Sequence, residues 1–173
     1  MAILKVGGTQ IASSSGSDVT LDNFAMGSSV VFPATVKNTP AFKAYGGNIA
    51  RSSGVSHEMI AGTEVLDTDG KYDHTTGRFT PTVAGYYYIF FSYRLAVADT
   101  AVRVSALIHK DGSLVTSQET EVEKAAAGYH GINISGVIEL DDSEYVSPFL
   151  WHNKGSDANA FDINFFGFRI IGA

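Results

Sequence analysis

Gly85-Tyr86-Tyr87-Tyr88-Ile89-Phe90-Phe91-Ser92-Tyr93-Arg94-Leu95 is the most strand-like run in the chain. Side chains alternate across a strand. Tyr87, Ile89, Phe91, Tyr93 and Leu95 therefore share one face, and Tyr86, Tyr88, Phe90, Ser92 and Arg94 the other. Both faces are apolar for most of the length. An antiparallel sandwich normally gives such a strand one dry face and one wet face. The second face needs its own cover, and a neighbouring subunit is the economical one. Tyr86, Tyr88 and Phe90, with Phe166 and Phe168 of the last strand, are thus candidates for a subunit interface or for core.

Further strands lie on either side of this run. Val102, Val104, Ala106 and Ile108 alternate with Arg103, Ser105 and Leu107, and Lys110-Asp111-Gly112 turns the chain. Ile132, Ile134, Ile138 and Leu140 share one face of residues 131–140, opposite Asn133, Ser135 and Glu139. Asp141-Asp142-Ser143 leads into a strand over 145–152. The last strand carries Phe161, Ile163 and Phe165 in one phase and Phe166, Phe168 and Ile170 in the other. That shift predicts a bulge at Phe165-Phe166-Gly167, or a strand buried on both faces. Residues 119–127 hold only Val122 as an apolar anchor and read as loop. Short strands at roughly ten-residue spacing predict a sandwich or jelly roll.

The totals agree. Of 173 residues, 45% are hydrophobic and 12% aromatic, enough for one domain with a substantial core plus a modest arm. Eighteen glycines against four prolines, with abundant Tyr, Phe, Val and Thr, favour strands and tight turns. A net charge of -6 counts against the basic stripe of a nucleic-acid binder. The absence of cysteine removes disulfides, thiolate metal sites and a cysteine nucleophile. The opening Met-Ala-Ile-Leu-Lys-Val-Gly-Gly is too short for a signal-peptide apolar region, and no run reaches the ~18 residues of a membrane span.

Residues 1–38 differ in character from the rest of the chain. Small polar residues dominate, interrupted by short apolar islands at 3–6, 19–21 and 30–32. Each island could pair as a strand with another chain. The segment reads as a flexible leader, or as an attachment arm that orders against a neighbour.

One stretch ties these features to a family. Asp69-Gly70-Lys71-Tyr72-Asp73-His74-Thr75-Thr76-Gly77-Arg78-Phe79-Thr80-Pro81-Thr82-Val83-Ala84-Gly85-Tyr86-Tyr87-Tyr88 resembles the central signature of the globular head of complement C1q. Phe165-Phe166-Gly167-Phe168 matches that family's closing F-x-G-F. The resemblance rests on Gly70, Tyr72, Asp73, Gly77, Phe79, Gly85, Tyr87, Phe165, Gly167 and Phe168, and covers residues 39–173. It implies an antiparallel jelly roll of about ten strands, related to the tumour-necrosis-factor fold, that assembles as a trimer through its inner sheet. The chain departs from animal members in having no Gly-X-Y stalk and no cysteine. Its leader, Gly7-Gly8-Thr9-Gln10-Ile11 followed by Ser13-Ser14-Ser15-Gly16-Ser17-Asp18-Val19-Thr20-Leu21-Asp22-Asn23, is similar to the starts of short structural proteins of tailed bacteriophages.

Sites of chemistry are sparse. Asp67, Asp69 and Asp73 cluster as calcium ligands do, but without the spacing or closing Glu of an EF-hand, and read as turn formers. Asp141, Asp142 and Glu144 read as a solvated loop. The five histidines, at 57, 74, 109, 130 and 152, have no metal-ligand spacing. No G-x-S-x-G elbow holds a serine nucleophile. Trp151 and the tyrosines are potential sugar-stacking residues, but Trp151 lies mid-strand and reads as core or interface. Asn133-Ile134-Ser135 forms a glycosylation sequon within a strand.

The expectation is an all-β homotrimer without enzymatic activity, cofactor, nucleic-acid partner or membrane span. Its setting is the surface of a tailed-phage virion assembled in the host cytoplasm, joined to other virion proteins through residues 1–38. Three roles remain open: a fibre or receptor-binding tip touching a host-surface glycan or protein, a capsid decoration or head-fibre protein, and a secreted recognition module.

Overall fold

The computed structural model describes residues 3–6, 9–15, 18–21, 38–97, 102–122 and 128–170. The chain divides into two compact units, residues 1–33 and 34–173. Within the first, β1 (Ile3–Val6), β2 (Thr9–Ser15) and β3 (Asp18–Leu21) form an antiparallel meander in the order β1-β2-β3. The islands at 3–6 and 19–21 each pair with β2 of the same chain. The polar strand between them, Thr9-Gln10-Ile11-Ala12-Ser13-Ser14-Ser15, lacks the apolar alternation that would announce it. The island at 30–32 lies outside the described residues.

The second unit is an all-β sandwich with no helix among its described residues. One sheet runs β13 (Tyr129–Leu140), β10 (Gly85–Ala96), β15 (Ala158–Arg169), β4 (Ala41–Gly46), β7 (Thr63–Asp67), with β5 (Ile49–Arg51) also on β15. The other runs β12 (Ser113–Val122), β11 (Val102–Lys110), β14 (Val146–His152), β9 (Arg78–Phe79), β8 (Tyr72–Asp73), with β6 (His57–Glu58) also on β14. All recorded pairings are antiparallel. Asp111 and Gly112 both have positive φ, 49° and 79°, and close the β11–β12 hairpin in the conformation a two-residue loop prefers.

The odd-numbered face of β10 is the core face. Tyr87, Ile89, Phe91, Tyr93 and Leu95 are all at most 1% exposed. They meet Val104, Ala106, Ile108, Val146 and Leu150 of the opposing sheet in one buried cluster. Phe42 anchors it by stacking on Phe79 at 4.2 Å and Tyr72 at 5.3 Å. Three buried tyrosines satisfy their hydroxyls: Tyr87 donates to the Val83 carbonyl, while Tyr72 donates to that of Ala61 at 2.9 Å and Tyr93 to that of Ser105 at 3.0 Å, the last two bonds being buried. Burial pushes the Tyr72 and Tyr93 phenols well above their ordinary range.

Three expectations are corrected. The bulge lies at 161–163, not at 165–167. Ser92 pairs with Asn164 and Arg94 with Phe161, so Tyr93 alone faces two residues, whereas the pairing from Asn164 to Arg169 is regular. Phe165 and Gly167 point into the core while Phe166 and Phe168 line the other face, so the run of aromatics is an unbroken alternation. Residues 119–122 are strand rather than loop, because Glu119 and Glu121 pair with Ser105 and Arg103 across β11–β12; residues 123–127 lie outside the described residues. Of the two readings of Trp151, core is the one corrected and interface is not: the ring stands half-buried on the outer face of its sheet, with the Arg103 guanidinium 5.9 Å from its centre.

Candidate binding face

The face of the β13-β10-β15-β4 sheet turned away from the core has no cover within the described residues of its own unit. Its residues form rows across the strands. Val137, Tyr88 and Phe168 make one row, and Ser135, Phe90, Phe166, Lys43 and Leu66 the next. Asn133, Ser92, Asn164 and Tyr45 form a third, and Gly131, Arg94 and Phe161 a fourth. The face therefore grades from aromatic to polar along the strands.

At the aromatic end the rings protect one another. Phe90 stacks on Phe166 with centres 4.7 Å apart, and Tyr88 lies 5.4 Å from Phe168. This mutual packing leaves them half-buried. Around them Val137 is 59% exposed, Tyr45 50%, Leu66 48% and Tyr86 39%. A contiguous apolar patch of this kind marks an interaction surface on a soluble protein. The five aromatics that the sequence singled out, Tyr86, Tyr88, Phe90, Phe166 and Phe168, all lie on this face; none is among the fully buried residues.

The polar end is built by the bulge. One extra residue in β15 turns both Phe161 and Asp162 outward, and Asp162 adopts φ 48°, rare for a side chain-bearing residue. Its carboxylate forms an ion pair with Arg94. Arg94 also lies 5.1 Å from the centre of the Tyr129 ring, which meets Phe161 edge-on at 5.0 Å. Sequence reasoning missed this cluster. A regular strand with Ile163 and Phe165 inward would place Phe161 in the core and Asp162 outside, so the local sequence carries no sign of the bulge.

The acidic turn is self-sufficient. Asp67 accepts from the Tyr72 amide at 2.6 Å and the Asp69 amide at 3.2 Å, and Asp69 accepts from Thr68 and Thr82 hydroxyls. Asp73 accepts from the Thr75 hydroxyl at 2.6 Å, the Thr75 amide at 2.8 Å and the Thr76 hydroxyl at 2.8 Å, which hold its carboxyl near a pKa of about 2. Asp141 likewise caps Ser143 and Glu144. No group of three or more His, Cys, Asp or Glu suited to a metal occurs among the described residues. The signature glycines have clear roles. Gly77, at φ 76°, sits where a Cβ would lie 2.7 Å from the Met59 carbonyl oxygen. The histidines do not converge: His109 stacks on Phe149 at 3.9 Å, while His152 is fully buried.

The sequence profile of the C1q domain matches residues 41–170. Among solved structures, the globular domain of zebrafish complement 1qA is similar with a TM-score of 0.53 and 16% identity, covering 76% of this chain and 96% of its own. Eiger TNF from S. frugiperda is similar with a TM-score of 0.55 and 12% identity, covering 77% of this chain and 93% of its own. No curated protein sequence matches.

Proposed function

Because this chain belongs to the C1q domain family, we propose that it is a non-enzymatic recognition and assembly module that works as a homotrimer. The observation that carries the proposal is the uncovered aromatic face of Tyr88, Phe90, Phe166 and Phe168, extended by Val137, Tyr45 and Leu66. A large aromatic buries ~150–250 Å² in all; these rings are half-buried already, so the interface area comes from them together with the exposed Val137, Tyr45 and Leu66. The apolar rows are the part of the face that holds subunits together.

The proposed setting is the particle of a tailed phage, with the sandwich as a receptor-binding tip and residues 1–38 as the attachment arm. This reading draws on the leader's likeness to phage structural proteins and on the separation of residues 1–33 as a compact unit. Phe166→Asp and Tyr88→Asp test the assembly face, since both residues lie outside the core. Loss of the oligomer with unchanged circular dichroism supports the proposal; an oligomer of unchanged mass in both variants contradicts it. Proteomics of purified particles tests the setting, and absence of the chain from particles of its own phage contradicts it.

A further inference from the structure

We infer that the polar end of this face is a saccharide-binding cup. The inference rests on the recognition role proposed above. A depression of about 440 Å³ opens there, bordered by Ser92, Arg94, Asn133, Asp162 and Asn164, with Gly131 leaving its floor bare. The bulge at 161–163 is what makes it. It sets Phe161 on the open face beside Asp162, whose backbone at φ 48° holds the carboxylate next to Arg94. Strained positions of this sort persist where the surrounding structure holds them and cluster at binding sites.

The hydrogen-bonding inventory identifies the class of ligand. Arg94 and Asp162 neutralise each other, so the cup offers no net charge to an anion or a cation. Asn164 spends its amide nitrogen on the Asp162 carbonyl at 2.8 Å, which leaves its side-chain oxygen as an acceptor. The Ser92 hydroxyl and the Asn133 amide have no hydrogen-bond partner in the protein among the described residues. They sit side by side in register, Asn133–Ser92–Asn164, across three adjacent strands. A row of mixed donors and acceptors beside a planar ion pair matches a ring of hydroxyl groups. Tyr129, 58% exposed at the rim, adds an aromatic surface for the apolar side of such a ring.

The place of the cup fits the task. The sandwich begins and ends at the aromatic end, where Ala41 pairs with Phe168 and the Arg169 amide donates to the Pro40 carbonyl. The cup is at the opposite end of the same strands. A dry protein contact over this end would strand Ser92 and Asn133 without partners, a costly outcome that a hydroxylated ligand avoids.

The test uses the full chain and four probes: glucose, galactose, N-acetylglucosamine and rhamnose. Saturation-transfer NMR is expected to detect at least one of them. Asn133→Ala and Ser92→Ala should each weaken that binding tenfold or more. Gly131→Val fills the cup without removing a hydrogen bond; a Cβ there meets only Arg94 Cγ, at an ordinary 3.7 Å. This variant should abolish binding and keep its melting temperature. No transfer to any probe overturns the inference, as does transfer that survives all three substitutions. Native mass measured on the same samples separates the two readings. A trimer that binds no probe overturns the cup alone, and a monomer that binds one overturns the trimer alone.

Discussion

Ile89 occupies the space that a side chain at Gly167 would need. The two are cross-strand partners on β10 and β15, and a Cβ on Gly167 would lie 2.6 Å from Ile89 Cδ1. It would also lie 2.9 Å from Phe42 Cε1 and 2.9 Å from the Tyr88 carbonyl oxygen, and the last is backbone that cannot step aside. Gly167→Val therefore destabilises the sandwich by about 1–3 kcal/mol or more, the usual cost of overpacking. Asp157 is exposed, and Asp157→Ala should stay within about 0.5 kcal/mol. Denaturant melts of both variants check this; equal shifts would mean that β15 is wrongly registered.

Metal should be dispensable. The carboxylates of Asp67, Asp69 and Asp73 each accept two or three hydrogen bonds from nearby amides and hydroxyls. A calcium chelator should leave the melting temperature unchanged. A fall of many degrees, restored by calcium alone, would contradict this account of the turn.

Acid should weaken the sandwich in two separate steps. The first belongs to His152, whose buried ring donates from Nε2 to the Arg51 carbonyl at 3.0 Å and accepts at Nδ1 from the Lys154 amide at 3.3 Å. Only the neutral ring can do both. Burial lowers its pKa, the Arg51 carbonyl and Asp157 oppose this, and Lys154 and His57 add to it. The unfolded chain then takes up the proton more readily, so the stability is present above ~6.5 and is lost as pH falls below it. The second step belongs to Asp73, whose contribution is present above the ordinary carboxyl range and is lost as pH falls toward about 2. Urea midpoints should drop between pH 7.5 and 5.5, and His152→Gln should flatten that slope. An unchanged slope in the variant would rule His152 out.

Deleting residues 2–33 should leave the sandwich folded. The two units are separately compact, and the buried cluster lies wholly within residues 42–165. Circular dichroism and melting of the truncated chain check this; failure to fold would place the meander in the core.

Much of this was legible in the sequence because the informative residues are local. The alternation of 85–95, the turn from Asp69 to Phe79 and the inward isoleucines of 131–140 each follow from period and turn chemistry. The bulge was not legible. Aromatics at 161, 165, 166 and 168 make both phases apolar, Asp162 falls in the outward phase of a regular strand, and its partner Arg94 is distant in sequence. Trp151 misled for a similar reason: its cover is Arg103 from the neighbouring strand, not the core. The strand at 119–122 hid because three of its four residues are polar, and Glu119 and Glu121 face Ser105 and Arg103 of β11, with Arg103 bound to Glu119 at 3.2 Å. The polar row of the cup escaped because Asn133, Ser92 and Asn164 become neighbours only through register.

The central claim is that the aromatic face closes on copies of itself. Native mass spectrometry of the full chain at micromolar concentration, cross-checked by light scattering, tests it most directly. The account predicts three times the 18.4 kDa chain mass, falling to one chain mass in Phe166→Asp. A wild-type protein that runs as a monodisperse monomer across that range would contradict it.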